Sequence, residues 1–384
     1  MSMTEILSKE QESDLILRGF TRRGFFKLAA MVAGASAMPF YDEPAMAQLS
    51  KITDAPAGAV MINANENPLG PCPEAMEAAH NIVAKGGRYL YSETDKLQAM
   101  MAQQDGLNGE SVRIFVGSSP ALHQAVLAFT SPTRPLVTAD PGYEAGGRAA
   151  DFIGAPVIKV PLTSTYAHDV KAMAAASPNA GLIYVCNPNN PTGTLTPKSD
   201  IEWLVANKPA GSIVMIDEAY THISGAPFNS DLVAQGKDVV ILRTFSKIYG
   251  MAGLRAGAAF ARPDLLSKLS GWGATMMPIT GMAAATASLQ VKDLVPSRRQ
   301  IIGQVREDTF NFLAKNNYKF IPSDSNCFMV DTGKPGMEVV MAMRKENVFV
   351  GRVWPVWPNY VRVTVGTADE MQKFQAAYKK VMCA

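Results

Sequence analysis

Cysteine is scarce in this chain: four in 384 residues, and Cys72, Cys186, Cys327 and Cys383 show no metal-ligand spacing. That excludes a disulfide-stapled scaffold and gives no metal site to look for; Cys186, inside the strand-like run Leu182 to Cys186, reads as packing. Charge of one sign is also lacking, since 36 Lys and Arg against 34 Asp and Glu leave a net +2, and the body carries no long basic run. Neither nucleic acid nor an anionic membrane surface is therefore indicated as a partner, and small metabolites are the better expectation. Internal repeats and low-complexity tracts are absent. Beyond the N-terminal region no stretch is long and apolar enough to span a bilayer. What is abundant is apolar residue, 47% of the chain, enough to bury a sizeable core in two domains or one elaborated one.

The first fifty residues have their own texture. TRRGFFK, Thr21 to Lys27, precedes an uncharged stretch from Leu28 to Met38, and small residues follow at Ala45-Met46-Ala47. A basic segment, an apolar segment short for a bilayer span and small residues at a cleavage position resemble, in that order, a twin-arginine export signal. Residues 1–47 are expected to be that signal, with the twin-arginine export machinery as a partner. The resemblance implies a periplasmic or secreted protein exported folded, with no membrane association in the mature form. Retention of the signal as an anchor is the alternative.

Residues 48–75 read as an N-terminal arm, rich in Ala, Pro and Gly up to Val60 and ending in the polar turn Asn63 to Pro71. Residues 76–270 then repeat a unit of strand, small polar turn and helix. The strand-like runs are Val112 to Val116, Leu136 to Asp140, Leu182 to Cys186, Ile213 to Ile216 and Val239 to Leu242. Strands alternating with helices predict an α/β fold with a mostly parallel sheet covered by helices. Residues 271–384 change character, with a long helical segment from about Gly281 to Asn316 and strand-like pieces at Asn326 to Asp331, Val348 to Val350 and Tyr360 to Val365. They predict a smaller α+β domain.

Three polar clusters stand at three predicted strand ends: NPNNPTG from Asn187 to Gly193, DEAY from Asp217 to Tyr220, and TFSKIYGMAGLRAG from Thr244 to Gly257. In open α/β sheets functional groups collect at the carboxyl ends of strands, so Asn190, Asp217 and Lys247 are expected to converge. A lysine there is placed to react with a carbonyl.

Together these motifs, with Asn63 to Pro71 and Gly117-Ser118-Ser119, resemble the pyridoxal-phosphate enzymes of the aspartate aminotransferase fold. The likeness covers nearly all of Asn63 to Gly366 and is greatest to the histidinol-phosphate aminotransferase group. It implies transamination between an amino acid and a 2-oxo acid with pyridoxal 5'-phosphate, in a homodimer. Lys247 matches the lysine that carries the cofactor covalently and shuttles the substrate proton. Asp217 matches the carboxylate that keeps the ring nitrogen protonated, and Tyr220 and Asn190 the donors to the 3′-oxygen. Ser118, Ser119, Thr244, Ser246 and Arg255 match the phosphate cradle, and Tyr143 the ring over the cofactor face. Arg362 and Asn65 match groups at the substrate carboxylate, and Arg352 a second substrate arginine. Tyr89 matches a tyrosine that reaches the neighbouring subunit's phosphate; Leu90 replaces the usual following proline, which keeps Tyr91 as the alternative. Pro120 stands where an acidic residue is common.

Trp354 and Trp357 read either as walls of an apolar substrate pocket or as packing. Export, and the lack of Tyr-x-Pro-Gly in Asp54 to Val60, point away from histidinol phosphate as substrate. Periplasmic amino-acid or amine metabolism, or tailoring of a secreted metabolite, fits as well. Other outcomes at Cα (racemisation, decarboxylation, cyclisation, oxidation) and a non-catalytic cofactor-binding sensor are the competing readings.

Overall fold

The computed structural model describes residues 9–21, 55–273 and 276–383. The twin-arginine pair Arg22-Arg23, the apolar stretch after it and the expected cleavage point after Ala47 lie outside the described residues. Among the described residues no helix is long and apolar enough to cross a membrane.

A short strand β1 (Val60–Ile62) lies within the expected arm. The central sheet follows, built from β2 (Val112–Phe115), β3 (Leu136–Asp140), β4 (Val157–Pro161), β5 (Leu182–Cys186), β6 (Ile213–Asp217), β7 (Val239–Thr244) and β8 (Gly257–Ala261). Its order is β2-β8-β7-β6-β5-β3-β4. Adjacent pairs are parallel except at β8, which runs antiparallel to both β2 and β7. The sheet is thus mostly parallel, as expected. Strands β5, β6 and β7 are buried at every position, which is why they read as continuous apolar runs rather than alternating ones.

The reading of the sequence missed β4 and β8. The first has a half-exposed edge pattern, and the second, GAAFA, lacks the branched residues that mark a strand. The antiparallel direction of β8 has a functional consequence. Its first residues lie at the same sheet edge as the last residues of its neighbours, Gly257 pairing with both Phe115 and Thr244.

The long helical segment expected from Gly281 to Asn316 is two helices, Ile279–Gln290 and Leu294–Lys315, broken at Val291 to Asp293. The first packs on Pro73–Ile82 and Tyr91–Gln104. The C-terminal residues form a three-stranded antiparallel sheet of β9 (Lys319–Ile321), β10 (Cys327–Asp331) and β12 (Tyr360–Thr364) in the order β12-β10-β9. Strand β11 (Val348–Val350) pairs in parallel with β1, so the end of the arm is anchored to the C-terminal part of the chain.

Part of the expected leader is packed on the body. Helix Lys9–Leu17 is followed by a turn, with Leu15 and Phe20 buried. Arg18 Nη2 donates to the carbonyls of Leu127 (2.9 Å), Ala128 (3.2 Å) and Thr130 (3.0 Å). Those groups lie at the C-terminal end of helix Ser119–Phe129, whose last turn has no basic residue of its own, so Arg18 satisfies orphan acceptors and meets the negative dipole end. Arg18→Ala should destabilise the full chain by about 1–2 kcal/mol. Thermal unfolding of the two proteins checks this, and equal midpoints would refute it.

Candidate active site

The carboxyl ends of β2, β3, β5, β6 and β7 and the start of β8 bring their loops to one edge, around a cavity of about 500 Å³. Asn65, Ser118, Ser119, Tyr143, Asn190, Asp217, Tyr220, Thr244, Ser246, Lys247, Arg255, Arg352 and Arg362 all line it. Of the candidate site residues, Tyr89 lies outside this cavity. Its ring is exposed and stacks with that of Tyr91 at 5.7 Å, so both tyrosines are available on the surface.

Asp217 ends β6, where its carbonyl accepts from Asn187 N–H, and its carboxylate is buried. It accepts hydrogen bonds from the Tyr184 hydroxyl at 2.9 Å and the Ala219 N–H at 3.1 Å. Burial nevertheless pushes the carboxyl up to about 6, outweighing those two bonds and the nearby Lys247 charge. The next residue, Glu218, is compensated. Its carboxylate pairs with Arg243 Nε at 2.7 Å and accepts from Asn229, while Arg243 also pairs with Asp105. Of two adjacent acids, the one lining the cavity is thus the one that burial holds in a high-energy charged state.

Lys247 follows β7 by three residues and is half-buried, with Nζ 5.7 Å from the centre of the Tyr220 ring. The Tyr220 hydroxyl accepts from Asn65 Nδ2 at 3.1 Å and Asn190 Nδ2 at 3.3 Å, so its own proton remains to be donated. Burial also raises this phenol well above its ordinary value, keeping that proton in place.

At the other end of the cavity Arg255 Nη1 donates to the Ala252 carbonyl at 2.7 Å and Nη2 to the Val116 carbonyl at 3.2 Å. Gly117 has φ +80, and a Cβ there would collide with Arg255 Nη2, so only glycine admits the guanidinium. Ser118 precedes helix Ser119–Phe129 without spending its side chain on a cap. A helix N-terminus, two serines, the Thr244 and Ser246 hydroxyls and an arginine together make a site for a phosphate.

Arg362 projects from β12 and is 5% exposed. Its Nη1 donates to Asn190 Oδ1 at 3.0 Å and Nη2 to the Asn63 carbonyl at 2.7 Å, while the buried Nε has no partner. Asn65 is fixed behind it, its N–H donating to Thr364 Oγ1 at 2.9 Å and its Oδ1 accepting from the same hydroxyl at 3.0 Å. An arginine with neutral partners and an orphaned buried donor is built to receive a carboxylate.

This arrangement is matched by known proteins. The model of the family "Aminotransferase class I and II" matches residues 58–377. The chain belongs to the class I and II aminotransferases. A histidinol-phosphate aminotransferase of Symbiobacterium thermophilum is 33% identical over 328 residues, covering 84% of this chain and 90% of that protein. An aromatic amino acid aminotransferase of Nocardia farcinica is also 33% identical over 328 residues, covering 83% and 90%. Among solved structures, histidinol-phosphate aminotransferase from Sinorhizobium meliloti in complex with pyridoxal-5'-phosphate superposes with a TM-score of 0.76 at 26% identity, covering 84% of this chain and 90% of that one.

Within this aminotransferase site several contributors left no clear mark in the sequence. Tyr184, which supports Asp217, is one apolar-looking residue in LIYVC, and its partner lies 33 residues away. Trp354 is wholly buried and does not line the cavity; Arg352 stacks on it at 4.1 Å and Arg362 lies 5.5 Å away. Trp357 packs instead with Tyr166 and Tyr360. Of the two readings of these indoles, the structure supports packing: Trp354 is a platform for two arginines. Cys186, read as packing, is buried and also borders the cavity.

Proposed function

We propose that the protein transfers an amino group between an amino acid and a 2-oxo acid, using pyridoxal 5'-phosphate held in the 500 Å³ cavity. The observation that carries this reading is the meeting of Lys247, buried Asp217 and carboxylate-ready Arg362 in one cavity, with a phosphate-type cradle at its far end. The residues fit the cofactor. A carboxylate held near pH 6 by burial is relieved by a cationic ring nitrogen, and the Gly117 approach admits the arginine that faces a phosphate.

When bound, pyridoxal phosphate supplies an electron-withdrawing ring in conjugation with the substrate's amino nitrogen. The chain's own groups do the rest. Lys247 Nζ would hold the cofactor and would serve as the base that moves the substrate's α-proton. Asp217 would keep the ring nitrogen protonated, and the Tyr220 hydroxyl, oriented by Asn65 and Asn190, would donate to the ring oxygen. Tyr143 covers the ring face. Ser118, Ser119, Thr244, Ser246 and Arg255 bind the phosphate, and Arg362 grips the substrate carboxylate with Asn65 behind it.

The same reading extends to cellular context. We take residues 1–47 as a twin-arginine signal, residues 48–75 as the arm, and 76–270 and 271–384 as the large and small domains. The enzyme acts as a homodimer in the periplasm or outside the cell, with exposed Tyr89 or Tyr91 reaching the partner's phosphate site. Relatives of similar identity act, by their names, on histidinol phosphate and on aromatic amino acids, and their names alone do not single out one donor for this chain.

Absorbance of the purified holoenzyme mixed with a panel of amino acids tests the function. The expected result is conversion of bound pyridoxal phosphate to pyridoxamine phosphate with release of an equal amount of 2-oxo acid. Release of carbon dioxide, inversion of the amino acid, or oxygen uptake without pyridoxamine phosphate would overturn it.

A further inference from the structure

Besides Arg255 at the phosphate end, two arginines line the cavity, Arg352 and Arg362, and their charges are treated differently. Arg362 is held by neutral groups, whereas Arg352 is ion-paired with Glu144, 208 residues away in the chain. The Arg352 and Glu144 side chains are 10% and 29% exposed, so water screens the pair little. Glu144 directly precedes helix Ala145–Ile153, and its side chain makes no capping hydrogen bond there. Its charge is committed to Arg352 instead. The pairing is held in place on both sides: Arg352 stacks on buried Trp354, and Trp354 Nε1 donates to the Gly142 carbonyl at 3.1 Å. The turn that carries Tyr143 and Glu144 is therefore locked to the turn that carries Arg352.

We propose that Glu144 determines side-chain specificity: by offsetting Arg352 it makes the second arm of the site electrically neutral. The site then selects amino donors with uncharged side chains against those bearing a second carboxylate or a phosphate. This rests on the aminotransferase reading and names its substrate class. An anionic side chain approaching Arg352 must displace Glu144 or face it as a like charge, and either course costs binding energy that an uncharged side chain does not lose. The α-carboxylate meets no such opposition at Arg362, whose partners are an amide oxygen and a backbone carbonyl.

The test is titration of the holoenzyme with two unreactive probes, glutarate and 3-phenylpropionate, read by the absorbance shift of the bound cofactor. The native protein should bind 3-phenylpropionate more tightly. Glu144→Gln should move the ratio of dissociation constants toward glutarate by about tenfold or more, and the double variant Glu144→Gln/Arg352→Gln should lose that gain. A ratio unmoved by Glu144→Gln, or a gain that survives in the double variant, overturns the proposal. Turnover of phenylalanine and glutamate in the same samples separates the two claims. A shifted ratio without turnover of any donor counts against the aminotransferase reading alone, and turnover with an unshifted ratio counts against Glu144 alone.

Discussion

Lys247→Ala is expected to lower amino-group transfer by about 10³-fold or more. On the proposed function one side chain carries two tasks, holding the cofactor covalently and moving the α-proton. Tyr220 lies beside Lys247 Nζ, and its phenol is pushed well above its ordinary value by burial, which makes it a poor base. Cys186 also lines the cavity, and burial raises its thiol in the same sense. Single-turnover absorbance with an amino donor measures the loss. A second readout is independent of turnover. Borohydride treatment followed by peptide mass analysis should place the cofactor on Lys247 in the native chain and leave the Lys247→Ala chain unlabelled. Labelling of another lysine, or near-native turnover in the variant, would refute the assignment.

Asp217→Asn should reduce turnover by about 10² to 10³-fold, the range found when one preorganised charge is removed from a reacting centre. Its effect on stability is more diagnostic, because the sign is fixed by burial. The ordinary carboxyl value of 3.8 is raised to about 6 in the folded protein without cofactor. A carboxyl that binds its proton more tightly when folded lowers stability as pH rises. The cost is absent below pH about 4, grows up to pH about 6 and then stays constant at about 3 kcal/mol. On the proposed function, bound cofactor would set a cation against this carboxylate and remove most of the cost. The gap in unfolding temperature between holoenzyme and apoenzyme should therefore widen between pH 4 and pH 6 in the native protein. In Asp217→Asn it should stay nearly flat. A gap independent of pH in the native chain would sink the account.

Much of the fold was legible because a buried parallel strand has a simple signature. Leu182–Cys186, Ile213–Asp217 and Val239–Thr244 are apolar on both faces, and each is followed by a polar cluster where the sheet must open to a ligand. Strand β8 was illegible for the opposite reason. GAAFA lacks branched residues and opens on a glycine because Gly257 lies against the Gly117–Ser118 backbone, where a Cβ would come within 2.5 Å of Gly117 C. The close approach that suits the cradle erased the apolar pattern that would have announced the strand. The break at Val291 to Asp293 did leave a sequence mark, Asp293 as cap and Pro296 in the first turn of the second helix, which the apolar periodicity overrode.

The sequence by itself determined the chemistry: a lysine, an aspartate, a tyrosine and an arginine in ordered motifs at strand ends, where reaction demands particular residue types and turns demand particular neighbours. Only the tertiary structure decided how charge is balanced around them. Glu218 is offset by Arg243 while Asp217 is left under the stress of burial, and Arg352 is offset by Glu144 while Arg362 has only neutral partners. The physical reason is distance along the chain. An ion pair spanning 208 residues imposes no periodicity and no local motif, so it becomes visible only when the fold has brought its two ends within reach.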